Sequence, residues 1–147
     1  MMNSKFNPHR LLKILLIASI ISTFIHYTDN YLFIEQYPQP AWITAPAVYQ
    51  TWLILTAIGI TGYWLYKYQK YWLAYAFLFI YSLTGITSPG HYLYGKFSQF
   101  SAKMHLLIWT DGLTGLAILG FIFWSAIILK NWWRKTSPTE SEFTHKS

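Results

Sequence analysis

Five side chains hold most of this sequence's capacity for chemistry: His26, Asp29, His91, His105 and Asp111. Histidine and carboxylate together are the raw material of general acid–base catalysis, because burial and neighbouring charge push their proton affinities apart until one gives and the other takes. On that reading Asp111, His105 and His26 form the acid–base set. The same nitrogen and oxygen donors suit zinc or iron, which makes His26, Asp29, His91 and His105 a candidate metal set. No His-x-x-x-His or Glu-x-x-His pattern connects those four, and three separate elements would have to converge. A haem clamped between His26 and His105 is a further option, with no propionate-binding pattern beside it. The residues do not fix a cofactor.

Spacing decides which of these groups can meet. His26 and Asp29 stand at i and i+3, so on a helix both project from one face. His105 and Asp111 lie about 120° apart around a helix, able to flank one cavity but not to touch along its surface. Asp111 sits in the run Trp109-Thr110-Asp111-Gly112-Leu113-Thr114-Gly115. An ionisable group there costs several kcal/mol unless it is paired, hydrated or neutral, which makes it a functional candidate. The competing role is an aspartate whose hydrogen bonds hold helices together. Asp111 shares its face with Leu107, Gly115 and nearly Thr114, and Gly115 would let a backbone or a ligand approach the carboxylate.

The elements that must position these residues are four apolar runs, expected to be helical at about 11–33, 47–66, 71–87 and 104–129. Roughly 20 residues at 1.5 Å each cross a hydrocarbon core. Pro38 and Pro40 end the first run, Pro46 opens the second, and Ser88-Pro89-Gly90 closes the third. Lys5, Arg10 and Lys13 before the first run resemble a signal peptide's basic flank, but no small-x-small cleavage site follows before Phe24, so an uncleaved span is expected. Lys5, Arg10, Lys13, Lys67, Lys70, Lys130, Arg134 and Lys135 fall on one side, against Lys96 and Lys103 on the other. The positive-inside rule then puts both termini in the cytoplasm. Trp64, Tyr66, Tyr68, Tyr71 and Trp72 ring the inner edge, and Tyr31, Tyr37 and Trp42 the outer one.

With that topology every histidine outside the tails, together with Asp29 and Asp111, gathers at the outer mouth. Gln50, Thr51, Ser88, Thr114 and Gly115 are expected to line the pocket with them. Residues 30–46 read as a cap or docking surface, and 89–103 as a connector able to serve as a lid. Gly59, Gly62, Gly112, Gly115 and Gly120 read as helix-packing positions. Residues 1–10 form a basic cytoplasmic N-terminus, 11–135 the four-span domain, and 136–147 a polar cytoplasmic tail too hydrophilic to fold.

Composition agrees with the membrane class: 54% of residues are hydrophobic and 11% charged, against about 25% charged in an ordinary soluble domain. The absence of cysteine excludes disulfides, thiolate nucleophiles and cysteine-held metal. Nucleic acid is not an expected partner, because the basic residues punctuate apolar runs rather than forming a stripe. The expectation is an all-α integral membrane protein, a four-helix up-down bundle with a His/Asp-lined polar pocket at the outer leaflet. The pocket would bind, and has the groups to transform, a lipid-like or otherwise hydrophobic small molecule. Whether the chain is an enzyme stays open at this point. Membrane lipid and a homo-oligomer or larger membrane complex are the other expected partners. The alternative is an accessory or assembly subunit of such a complex without its own catalysis. A proton-coupled carrier using Asp111 comes third and would need oligomerisation to enclose a path.

Overall fold

Local signals set the helix boundaries in the structure, a computed structural model that describes residues 7–130. Lys5, the basic and aromatic residues 132–135 and the polar tail 136–147 lie outside the described residues. Helix α1 spans Pro8–Leu32, with Pro8 in the first turn, where its missing N–H is not needed. Asn7 caps it, its side-chain oxygen accepting the N–H of Arg10 at 3.2 Å. Helix α2 spans Ala45–Lys67. Two residues on, Gln69 has a left-handed φ of 59° that turns the chain directly into α3, Tyr71–Ile86. That turn lets the Lys70 N–H reach the Leu65 carbonyl at 2.9 Å, satisfying a helix-end acceptor. Helix α4 spans Ala102–Phe123, capped by Ser101 accepting from Met104 N–H at 3.2 Å. Its last turns widen into a π-helical segment, Trp124–Ile128. Among the described residues the chain is helical throughout, with short 3₁₀ turns in the connections and no strand.

The four helices contact one another in a closed circuit, α1 with α2 and α4, and α3 with α2 and α4. Inward positions alternate steps of four and three, as in coiled-coil seams. In α1 they are Leu12, Leu16, Ser19, Thr23, His26 and Asn30, and in α4 Ile108, Asp111, Gly115, Ile118 and Ile122. One end of the interior is apolar, built from Leu12, Leu16, Tyr66, Leu78, Ile118 and Phe121. There Ser125, inside the π-helical segment, meets the Tyr66 hydroxyl at 2.9 Å and the Tyr75 hydroxyl at 3.0 Å. Toward the other end the same seams turn polar.

Large apolar side chains instead cover the outside. Ile14, Ile17, Ile21, Phe24 and Ile25 of α1 are all about half exposed, as are Leu113, Leu116 and Phe123 of α4. Two helices, Pro8–Leu32 and Ala102–Ile128, are long and apolar enough to cross a membrane, with mean hydropathies of 1.7 and 1.8.

Helices α3 and α4 touch backbone to backbone where Gly85 faces Gly115. A Cβ on Gly115 would come within 2.7 Å of the Ser82 carbonyl and 2.8 Å of the Ile86 nitrogen, and one on Gly85 would strike the Asp111 carbonyl. Gly59 and Gly62 lie equally close to Tyr81 and Leu78, whereas Gly120 faces open space. Gly115→Leu is therefore expected to destabilise the protein by about 1–3 kcal/mol or more. Gly120→Ala should be neutral or stabilising by up to about 1 kcal/mol. Thermal unfolding of the two purified variants measures the contrast, and equal midpoints would contradict the close crossing.

Candidate functional site

Asp111 is fully buried, and a carboxylate in that position must be met by donors. They come from α1 and from the turn that follows α3. His26, one turn and a half from the end of α1, brings Nδ1 to 2.7 Å from Asp111 Oδ2. Ser22, one turn earlier, donates its hydroxyl to Oδ1. Ser88, just beyond α3, has one proton and two acceptors in reach, the Thr84 carbonyl at 3.3 Å and Oδ2 at 3.4 Å. Asp111 thus ties α1 to α3 and α4. Because its Nδ1 is committed, His26 has only Nε2 left, and that nitrogen is buried without a hydrogen-bond partner. A carboxylate on Nδ1 with Nε2 free fixes the tautomer in which Nε2 carries the lone pair, and stabilises the imidazolium once Nε2 takes a proton.

His26 lines a cavity of about 270 Å³ between the C-terminal ends of α1 and α3 and the N-terminal end of α2. Beside His26, its wall includes three residues expected from sequence, Thr51, Ser88 and His91. Tyr27, Asn30, Gln39, Trp42, Ile43, Val48, Thr84 and Thr87 complete most of the lining and were not anticipated. Asn30 and Thr84 each bury a side-chain oxygen without a partner, as His26 buries its Nε2. Gln50, Thr114 and Gly115 are not on this wall: Gln50 is exposed, Thr114 donates to the Asp111 carbonyl at 3.1 Å, and Gly115 packs on α3.

His91, His105 and Asp29 are distributed between two neighbouring clusters. His91 lies beside His26, ring centroids 5.6 Å apart, and its Nδ1 donates to the Pro38 carbonyl at 3.0 Å. His105 does not join Asp111. Its Nδ1 meets the Tyr92 hydroxyl at 2.7 Å, and its ring stacks on Phe97 at 4.0 Å. Asp29 accepts from Tyr37 at 2.7 Å and pairs with Lys103 at 2.6 Å. Among the described residues no three His, Cys, Asp or Glu side chains are grouped so as to hold a metal ion.

Those contacts join the two connections over the cavity. Residues 33–44 and 87–101 meet through Pro38 with His91, Pro38 with Gly95, and Tyr37 with the His91 ring. Burial, and then the hydrogen bond to the Asp29 carboxylate, push the Tyr37 phenol well above its usual 10.0, so it stays a donor. Burial chiefly holds His91 below its ordinary 6.5, with nearby His26 acting in the same direction and the Pro38 carbonyl and Asp111 opposing.

An imidazole with lowered proton affinity is neutral in the closed cap and gains a proton on opening, so it favours the closed form fully above the ordinary histidine value. The closed cap should therefore loosen as pH falls below 6.5. Hydrogen exchange across 88–100, corrected for intrinsic rates, is expected to quicken between about pH 7.5 and 5.5. His91→Gln should remove that dependence. Unchanged protection in the wild type would contradict the link.

Comparison of the chain with family models, curated proteins and solved structures gives no match, so the geometry of the site carries the functional reading.

Proposed function

We propose that this chain is a four-span membrane protein, both termini cytoplasmic, that binds a hydrophobic small molecule at its outer end and transfers a proton to or from it. The observation that carries the proposal is the buried His26–Asp111 pair, with the free Nε2 of His26 on the wall of a cavity. In this reading Nε2 is the proton-transferring atom. Asp111 orients the ring and stabilises the imidazolium, while Ser22 and Ser88 hold Asp111.

The distribution of polarity supports the membrane setting. Soluble proteins bury aliphatic side chains and rarely leave large contiguous apolar surface in water. Here isoleucine, leucine and phenylalanine cover the outside, while Ser19, Thr23, His26, Ser82, Asp111 and Ser125 are inside. That arrangement suits a lipid surround, in which polar groups find partners in the interior of the helix assembly. Arg10, Lys13, Lys67 and Lys70 fall at the end away from the cavity, and Lys96 and Lys103 at the cavity end. This bias supports an outward-facing site.

Cells producing the wild type, His26→Gln and Asp111→Asn at matched membrane levels provide the test. Comparative lipid profiling is expected to show one hydrophobic species accumulating and another falling in both variants. The loss should be about 10²-fold or greater, as for a general acid–base group. Profiles identical to the wild type would remove the catalytic role.

A further inference from the structure

We propose that the ligand of this site is an uncharged amphiphile with a hydroxyl head, received among His26, Asn30 and Thr84, and with a chain that leaves past Trp42 and Ile43. The inference rests on the site described above and adds the class of molecule it accepts.

The head follows from three buried polar atoms. His26 Nε2, Asn30 Oδ1 and Thr84 Oγ1 lack partners in side chains only 2%, 7% and 4% exposed, and all three residues wall the same cavity. Leaving such an atom unsatisfied costs about 1–3 kcal/mol, so the three together call for a polar group between them. Asn30 already gives its amide to Gln39 at 3.2 Å, so its oxygen needs a donor. The Thr84 hydroxyl can supply a proton, and His26 Nε2 can take one. A hydroxyl, one donor with two lone pairs, can accept from Thr84 while giving its single proton to Asn30 Oδ1 or to His26 Nε2.

Charge excludes the common alternatives. Among the described residues no Lys, Arg, Asp or Glu lines the cavity, and Lys103, in the first turn of α4, is held by Asp29. A carboxylate or phosphate head would meet no permanent cation there, and the His26 ring beside it already faces the Asp111 carboxylate. An ammonium head would find the Asp111 oxygens already occupied by Ser22, His26 and Ser88.

Size and surroundings supply the chain. A cavity of about 270 Å³ is below the usual range for a whole lipid-sized ligand and suits a head group. Trp42, Ile43 and Thr87 also wall an adjoining recess of about 550 Å³, whose other walls include Pro40, Ile86 and Leu93. Trp42 and Leu93 are 79% and 84% exposed, so the recess opens outward between apolar side chains.

Full-length protein in mild detergent, photolabelled with a diazirine-bearing hexadecanol, tests the assignment. Labelling should fall within 39–48 or 84–93, and unlabelled hexadecanol should compete about tenfold better than palmitate or hexadecylamine. Thr84→Val should weaken labelling about tenfold for one lost buried hydrogen bond. Asn30→Leu is the second variant if Thr84→Val does not fold. Equal or better competition by the acid or the amine, labelling elsewhere, or no specific labelling would overturn the proposal. Specific alcohol binding with unchanged lipid profiles in His26→Gln cells would sink the acid–base reading alone. Altered profiles of a charged lipid without alcohol labelling would sink this one alone.

Discussion

A carboxylate removed from water has to be answered, and the answer to Asp111 organises this protein. The donors come from Ser22 and His26 on α1 and from Ser88 at the end of α3, so the cost of burying one group is offset only when three helices are in register. The glycine crossing of α3 and α4 sits immediately beside it, where Gly85 faces the Asp111 carbonyl. Close approach of two backbones and satisfaction of the carboxylate are thus one geometric condition. A buried polar network of this kind specifies a packing arrangement more than it adds stability, because an apolar replacement would remove the desolvation cost along with the bonds.

The same condition leaves one nitrogen of His26 facing a cavity, and the two connections close over it. The cap is held by different chemistry from the pair below. Asp29, Tyr37 and Lys103 form a partly exposed chain of charge-assisted bonds, whereas His91 reaches a backbone carbonyl. Salt and solvent weaken the charged contacts most, and the half-buried imidazole contact to a neutral carbonyl less. The cavity therefore has a fixed floor on the helices and a cover made of connections, the usual division between rigid scaffold and adjustable segment.

Much of the helical layout was legible in the sequence, because long apolar runs bounded by proline and lysine admit few other structures. The His26–Asp111 pairing was legible only as membership of one acid–base set, since which members touch depends on how two helices distant in sequence are rotated about their axes. The α1 seam held a usable signal: Leu12 and Leu16 give way at the same four-and-three spacing to Ser19, Thr23, His26 and Asn30. Following that stripe would have separated His26 from Asp29, which projects toward Tyr37 and the cap instead. His105 was grouped with Asp111 by depth alone, and its angular offset carried it to Tyr92. Ser22 lies beside the stripe rather than on it, and only the proximity of Asp111 reveals its role. The cavity wall was hardest to read, because Gln39, Trp42 and Ile43 come from a connection whose path no periodicity specifies.

The widened turns at Trp124–Ile128 have a consequence for tolerance of change. A π segment is what a helix makes when it absorbs one extra residue, taking up the added arc locally. Everything N-terminal to it, including Asp111 and Gly115, keeps its azimuth, and Ser125 stays against its two tyrosines. An insertion within that segment would be taken up there rather than passed back along α4. The widened turns thereby act as a mechanical buffer between the apolar end of α4 and the chemistry, and the carboxylate keeps its aim.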